Sequence, residues 1–280
     1  MFTTRFAPSP TGGLHKGHAF SALTAWSAAK AAGGRFLLRI EDTDFTRCRP
    51  EYEDAIYQDL EWLGIDWETP VRRQSDHRAD YDAAIDRLRD RGVLYRCFRT
   101  RKEMLALAGG APHADDPVDA AAFSAGPHTP QDEAGRLARG EAFAWRLSLD
   151  AARDQLGDFD RLGWIEQSGS PGRRHAVPES LGDMVVGRKD IGAGYAIASV
   201  VDDALQGVTH VIRGVDLQPM TSVQRVLQAL LDLPVPVYRH HRLLLDEQGR
   251  RFAKRDRSVT LAEIRASGVR PEALRAELGF

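Results

Sequence analysis

The stretch Arg5-Phe-Ala-Pro-Ser-Pro-Thr-Gly-Gly-Leu-His-Lys-Gly-His18 decides how this chain is organised. It follows a short strand-like N-terminus and leads directly into an alanine-rich helical pattern over residues 19–32. Pro8 and Pro10 end the strand, and the two glycines after them allow a tight turn. The helix is therefore predicted to begin near His15, where its unpaired N–H groups can bind an anion above the strand end.

The two histidines of this stretch are three residues apart, so a helix places His15 and His18 on one face, where both can contact one ligand. Gly17 between them has no side chain and lets a flat or bulky group approach the backbone. Two surface histidines at a helix start are the simpler explanation of the pair alone, but not of the whole string. The string resembles the His-Ile-Gly-His element of class I aminoacyl-tRNA synthetases, and residues 5–12 narrow the resemblance to the glutamyl branch.

Length and composition limit the class of protein. The 280 residues, 42% of them hydrophobic, are enough for one large domain or two with a real core. The formal net charge is −2, so any RNA-binding site must be a local basic patch. Two cysteines are too few for a disulfide framework, and neither an apolar N-terminal segment nor a membrane-length apolar run occurs. We therefore expect a cytoplasmic protein with no membrane contact.

Residues 35–40, Arg-Phe-Leu-Leu-Arg-Ile, predict the second strand and complete a βαβ unit. Its strands should be parallel with a right-handed crossover, so that ligands bind beyond their neighbouring C-terminal ends. Arg5 and Glu41 then face one crevice with opposite charges. The pair suits a zwitterion, with Arg5 for a carboxylate and Glu41 for an ammonium group. A plain salt bridge between the two is the alternative.

Apolar spacing and turn residues predict the remaining elements. Helices are expected from Pro50, after a Ser75 cap and from Thr221-Ser222. Strands are expected at residues 95–98, 143–147, 183–186, 209–214 and 242–245. Residues 106–141 are predicted to be loop-like, after a short helix around residues 102–107.

The resemblance implies an α/β fold, in which a class I synthetase Rossmann-like parallel sheet is split by an acceptor-stem-type insertion. Residues 1–100 and 181–240 would form the two halves of the nucleotide-binding fold, and residues 101–180 the insertion. Residues 241–280 would hold the Lys254 loop and a short helical tail, with no anticodon-binding domain. Some family members bind zinc in the insertion through three cysteines. Here Cys97 has no later cysteine after it, so we predict no zinc site and a buried apolar role for Cys97.

The resemblance also assigns the site residues. The L-glutamate site would consist of Arg5, Phe6, Ala7, Pro8, Ser9, Glu41, Tyr195 and Arg213. His15, Gly17, His18 and Lys254 would bind ATP, and the two histidines and the lysine would be catalytic. A buried Arg213 needs an anion, which a substrate carboxylate supplies. The alternative makes Tyr195 a core aromatic residue and pairs Arg213 with Asp202 or Asp203.

Residues 250–256, Arg-Arg-Phe-Ala-Lys-Arg-Asp, resemble the mobile second motif of the family, usually Lys-Met/Leu-Ser-Lys-Ser/Arg. Lys254 matches the lysine that neutralises the ATP phosphates as pyrophosphate leaves. Arg251 stands in place of the first lysine and Ala253 in place of the serine. Arginine keeps the charge of lysine but not its shape.

Residues 213–217, Arg-Gly-Val-Asp-Leu, are closer to the short paralogues of glutamyl-tRNA synthetase, the glutamyl-queuosine tRNA(Asp) synthetases, than to the full-length enzymes. This resemblance implies ATP-dependent activation of L-glutamate, with Mg²⁺ as the ATP complex, and its transfer to queuosine in the anticodon of tRNA(Asp). The expected enzyme is a monomer. A truncated synthetase charging the tRNA 3′ end, an enzyme specific for glutamine, and an inactive binding module with a nucleotide fold are the alternatives.

Overall fold

The structure is a computed structural model that describes residues 1–100, 103–104, 126–244 and 259–280. The strands within these ranges are β1 (Thr3–Phe6), β2 (Arg35–Ile40), β3 (Glu68–Arg73), β4 (Leu94–Cys97), β5 (Ala144–Leu147), β6 (Gly163–Glu166), β7 (Gly172–His175), β8 (Val185–Arg188), β9 (Gly192–Ala193), β10 (His210–Gly214) and β11 (Val237–His241). The α-helices are α1 (Lys16–Ala31), α2 (Pro50–Trp62), α3 (Arg78–Asp90), α4 (Pro130–Ala138), α5 (Leu149–Leu156), α6 (Tyr195–Leu205), α7 (Gln218–Leu230), α8 (Leu261–Ala266) and α9 (Pro271–Leu278).

Two sheets meet edge to edge and form the centre of the fold. The first has the order β1-β2-β3 and the second the order β10-β11-β6-β7. All pairs are parallel except β6 with β7. The backbone N–H of Thr209 donates to the carbonyl of Thr3 at 2.9 Å, which places β10 beside β1. The predicted parallel βαβ unit is confirmed. In addition, β1 near the N-terminus and β10, which comes much later in the chain, are neighbours.

A third sheet, with the order β4-β5-β8-β9, is antiparallel throughout. It packs on α3, and β9 leads through Gly194 into the first turn of α6. Strand β9 therefore fixes where Tyr195, the first residue of α6, is placed.

Two buried apolar clusters hold these layers together. One gathers side chains of β1, β2, α1, α2, α8 and α9, among them Leu23, Leu38, Ile56 and Leu274. The other joins α3, α6 and α7 to the third sheet. Each fully buried leucine or isoleucine contributes roughly 1.5–3 kcal/mol relative to exposure. Since α8 and α9 belong to the first cluster, the C-terminal helices are anchored against the β1-α1-β2 unit.

Several local predictions were wrong at element boundaries. Ser75 does not cap α3, because its N–H and hydroxyl both donate to the Asp42 carboxylate, at 2.8 and 2.6 Å. A short 3₁₀ turn over Gln74–His77 precedes the helix instead. Helix α7 begins at Gln218 rather than at Thr221-Ser222, since Pro219 in its first turn favours an earlier start.

Two predicted strands also differ from the structure. The strand expected at residues 183–186 lies at Val185–Arg188. The strand expected at residues 242–245 is absent over residues 242–244, and Leu245 lies outside the described residues. The strand in this region is β11, which was not predicted because Pro234 and Pro236 indicate only the end of the preceding helix. Parallel partners on both sides stabilise β11 despite its polar sequence.

The segment predicted as a loop over residues 106–141 contains helix α4. Thr129 caps it by accepting from the N–H of Asp132 at 3.3 Å, and Pro130 occupies its first turn. No α4 residue is buried, so the apolar spacing that marks other helices is missing. Residues 105–125 lie outside the described ranges, and of the predicted short helix only Glu103 and Met104 are described.

Cys97 is buried against Tyr95 and Met104, as predicted for an apolar residue. In the described parts of the chain no helix has the length and apolar character needed to cross a membrane.

Candidate functional site

A cavity of about 400 Å³ opens at the C-terminal ends of β1, β2, β10 and β11. Its wall includes every residue predicted for the glutamate site, namely Arg5, Phe6, Ala7, Pro8, Ser9, Glu41, Tyr195 and Arg213. His15, Gly17 and His18 line the same cavity. Lys254, with Arg251 and Ala253, lies outside the described residues. The topology thus brings together side chains that are up to 208 positions apart in the sequence.

His15 is the N-cap of α1, so the helix begins where the sequence predicted. Its Nδ1 accepts from the N–H of Gly17 at 3.1 Å, and its own N–H donates to Nδ1 of His18 at 3.2 Å. The two rings lie 3.8 Å apart between centroids. Because each Nδ1 is an acceptor, the proton of each neutral imidazole is on Nε2. Both histidines are therefore Nε2–H donors at a helix N-terminus, which suits phosphate oxygens.

Arg5 and Glu41 do not form the salt bridge considered from the sequence. Arg5 donates to Asp203 at 3.0 and 3.4 Å, whereas Glu41 accepts from Arg39 at 3.1 Å. Arg39 is fully buried and also donates to Asp203 at 2.7 Å. One buried cation thus joins two carboxylates below the cavity.

The two carboxylates differ in their electrostatics. Burial raises the pKa of Glu41 in spite of Arg39 and Arg5. Burial also opposes ionisation of Asp203, but Arg5 and Arg39 outweigh it and hold the pKa of Asp203 below its usual value. A cationic group of a bound ligand would therefore be stabilised most strongly beside Glu41.

Arg213 ends the buried part of β10, and its hydrogen-bond partners among the described residues are all neutral. Its guanidinium donates to the hydroxyl of Thr221 at 2.7 Å, to Nε2 of His240 at 3.2 Å and to the hydroxyl of Tyr195 at 3.5 Å. The predicted alternative, a pair with Asp202 or Asp203, is wrong.

Asp202 instead accepts from Arg72, Gln74 and Tyr81 at 2.7–3.0 Å. Tyr195 keeps 36% of its surface exposed at the cavity, so it is not the core aromatic residue of the alternative either.

Sequence reasoning missed other parts of the wall, which are Phe20, Ser21, Ile212, Gly214, Asp216, Leu217, His241, Arg242, Leu243 and Leu244. His241 ends β11, and its Nε2 lies 3.0 Å from the hydroxyl of Ser21 on α1. The missed strand explains why residues 241–244 were missed, because residues that end a parallel strand beside β10 must face the same edge.

The C-terminal segment returns to the beginning of α1. Thr260 forms an antiparallel bridge with His15, and the N–H of Leu261 donates to the carbonyl of Leu14 at 2.7 Å. A Cβ on Gly13 would lie 2.9 Å from the Thr260 methyl group, so glycine permits this close approach. The stretch that includes Lys254 is therefore flanked on both sides, by Leu244 and Thr260, by residues at or beside the cavity.

Comparison with known proteins identifies the family. The model of "tRNA synthetases class I (E and Q), catalytic domain" matches residues 1–279. The chain belongs to this family. The α/β fold and the ligase class predicted from the sequence are thereby confirmed.

Relatives of this class I synthetase domain have two kinds of names. The chain is 44% identical to the "Glutamyl-Q tRNA(Asp) synthetase" of Rhodobacter capsulatus over 99% of both chains. It is 43% identical to the protein of the same name from Nocardia farcinica, over 98% of this chain and 82% of that one. It is also 41% identical to "Glutamate--tRNA ligase 2" of a Ruegeria species, over 98% of this chain but 59% of the relative.

Solved structures of glutamate tRNA ligases have the same fold. One is the ligase of Elizabethkingia meningosepticum in complex with its amino acid, with a TM-score of 0.77 and 25% identity. The glutamate-tRNA synthetase of Elizabethkingia anophelis gives a TM-score of 0.79 at the same identity. The alignments cover all of this class I synthetase domain, which spans 60% and 61% of those two chains.

Proposed function

We propose that this enzyme activates L-glutamate with ATP and transfers the glutamyl group to queuosine in the anticodon loop of tRNA(Asp). One observation carries the proposal. A single cavity combines two buried guanidinium groups and a buried carboxylate with a pair of imidazole N–H donors at a helix N-terminus.

The charged groups of the cavity match those of glutamate. The substrate has two carboxylates and one ammonium group, and the cavity presents Arg5, Arg213 and Glu41. The raised pKa of the Glu41 carboxyl is the expected consequence of burial without a cation in the cavity, and the substrate ammonium would stabilise its ionised form. Glutamine would place a neutral amide against a guanidinium, which supports glutamate as the substrate.

The part of the cavity wall formed by the start of α1 suits ATP. The N-terminus of α1 and the Nε2–H groups of His15 and His18 would stabilise the phosphates while charge moves to the leaving group. We propose Lys254 as a further cation there. It lies six residues before Thr260, a span of at most roughly 20 Å for an extended chain, so it can reach the cavity.

Mg²⁺ is proposed only as part of the ATP complex. The described residues do not gather three or more His, Cys, Asp or Glu side chains where a metal ion could be held. When bound, Mg²⁺ would neutralise phosphate charge. The chain's own part is to bind and orient the substrates.

Two displacements follow. An oxygen of the glutamate α-carboxylate attacks the α-phosphorus of ATP. The bond from this phosphorus to the oxygen that bridges to the β-phosphate breaks, so that pyrophosphate departs and glutamyl-adenylate is formed. A queuosine hydroxyl oxygen then attacks the activated carbonyl carbon, loses its proton, and displaces AMP. The chain needs no nucleophile for either step, so positioning and charge stabilisation supply the catalysis.

The identity of the acceptor rests on the relatives. The nearly complete alignment with proteins named glutamyl-Q tRNA(Asp) synthetase favours queuosine. The relatives named glutamate–tRNA ligase favour a second candidate, charging of the tRNA 3′ end. We also propose that the enzyme works as a cytoplasmic monomer.

Two assays test the proposal in sequence. Purified enzyme should exchange pyrophosphate into ATP only when glutamate is present, and Lys254→Ala should lower this exchange about 100-fold or more. Lys30→Ala is the matched control, because Lys30 is half-exposed, contacts Asp66 and the Trp26 ring, and does not line the cavity. Exchange at the wild-type rate in the Lys254 variant would contradict its assigned role.

The second assay locates the acceptor. Labelled glutamate is offered with tRNA(Asp) that carries or lacks queuosine, and the product RNA is cleaved. The proposal expects label only on modified tRNA and only in the anticodon fragment. Label on the 3′-terminal adenosine would establish the second candidate, and equal activation of glutamine would refute the assigned amino acid.

A further inference from the structure

A buried chain of polar groups lies behind Arg213, on the side away from the cavity. His240 of β11 and Glu166 of β6 are 5% and 2% exposed. Nδ1 of His240 lies 2.6 Å from Oε2 of Glu166, and Nε2 of His240 accepts from Nε of Arg213 at 3.2 Å. Neither residue lines the cavity.

The bonds determine the state of the imidazole. Nε2 can accept from the guanidinium only through its lone pair, so the ring proton must be on Nδ1, where Glu166 accepts it. Burial and the adjacent Arg213 lower the pKa of His240, and Glu166 opposes this effect without reversing it. The ring is therefore neutral and held in one tautomer.

The hydrogen bonds and the ionisation state of Glu166 are equally well defined. Its Oε1 accepts from the N–H groups of His240 and Ser168, both at 3.1 Å, and its Oε2 accepts from the ring of His240. Burial opposes its ionisation, but these bonds outweigh burial and hold the pKa of Glu166 below its usual value. The negative charge of Glu166 is thus fixed behind the Arg213 guanidinium, with the His240 ring between the two groups.

The guanidinium groups of Arg5 and Arg213 consequently differ in how their positive charge is neutralised. Arg5 is neutralised directly by Asp203 at 3.0 Å. For Arg213 no carboxylate of the described residues lies within 4 Å, and the charge of Glu166 reaches it only through His240. A direct ion pair would compete with a ligand carboxylate, whereas a neutral imidazole orients the guanidinium and leaves its charge available.

We propose that Glu166 and His240 are positioning residues that prepare Arg213 to bind a carboxylate of the amino-acid substrate. The inference rests on the proposed function insofar as Arg213 binds glutamate. Thr221 at 2.7 Å and the Tyr238 ring at 5.4 Å complete the enclosure of the guanidinium. His240 thereby determines affinity for the substrate rather than the rate of the chemical step.

Kinetics of glutamate-dependent pyrophosphate exchange test this role. His240→Ala should raise KM for glutamate about 10- to 100-fold, the effect of losing one hydrogen bond to a charged group, and change kcat less than about threefold. His240→Gln, which keeps an acceptor for Nε of Arg213, should recover most of the loss. His210→Gln at the start of β10 is the matched control, since His210 contacts Phe2 and Thr209 and not the cavity. An unchanged KM in His240→Ala, or equal losses in the Ala and Gln variants, would overturn the proposal.

A spectroscopic measurement keeps the proposal falsifiable if the variants do not fold. ¹⁵N-labelled wild-type protein at pH 7 should show His240 as the Nδ1–H tautomer, the form less common for free histidine. The Nε2–H tautomer or a protonated ring would overturn the proposal. If the wild-type enzyme shows no glutamate-dependent exchange, the proposed function fails, whereas the tautomer still reports on the Glu166–His240–Arg213 chain.

Discussion

Replacement of Asp59 by asparagine should make the protein more stable at neutral pH. Asp59 lies on α2 with 1% of its side chain exposed, and neither carboxylate oxygen has a hydrogen-bond partner in the described parts of the chain. It forms an ion pair with Arg265, whose Nη1 lies 3.5 Å from Oδ1 of Asp59 and whose side chain is one-third exposed. Burial raises the pKa of the Asp59 carboxyl to about 6, since Arg265 compensates only in part.

The sign of the effect follows from linkage. The pKa of Asp59 is about two units higher in the folded than in the unfolded chain, so the unfolded state loses its proton first as the pH rises. The contribution to stability is fully present below pH 4 and is lost as the pH rises through 6. Two units correspond to about 3 kcal/mol, and asparagine, which cannot ionise, removes this loss.

The assay is urea unfolding of the wild type and Asp59→Asn at pH 4, 5, 6 and 7. We expect the free energy of unfolding of the variant, minus that of the wild type, to increase by roughly 2–3 kcal/mol between pH 4 and pH 7. Asp54→Asn on the exposed side of α2 should show only a few tenths of a kcal/mol of change. A relative stability of Asp59→Asn that is independent of pH would refute the reasoning.

Two further substitutions test the packing below and beside the site. Asp203→Asn leaves Arg5 and Arg39 without their shared buried carboxylate and should lower the free energy of unfolding in urea at pH 7 by about 3–5 kcal/mol. A loss below about 1 kcal/mol would show that these two ion pairs are not needed for stability. Gly34→Ala should cost about 1–3 kcal/mol, because its Cβ would lie 2.3 Å from the carbonyl oxygen of Phe2, and unchanged thermal unfolding would contradict this contact.

The sequence by itself determined the first βαβ unit and eleven of the 21 residues that line the cavity. The strand-turn-helix signal of residues 5–18 is local, since prolines, glycines and an N-capping residue act within a few positions of themselves. Strand β2 was predicted over the same residues that the structure shows. The family motifs then named residues that the fold does bring into one cavity.

Only the tertiary structure decided which charges pair. From the sequence, Arg5 had Glu41 as a candidate partner and Arg213 had Asp202 or Asp203, but the sheet assigns Asp203 to Arg5 and neutral acceptors to Arg213. Strand β11 and its His240 were missed for the same reason: a polar strand is stabilised by its neighbours on both sides, not by its own pattern. Ion pairs and central strands depend on contacts between residues distant in sequence, whose partners no local spacing specifies.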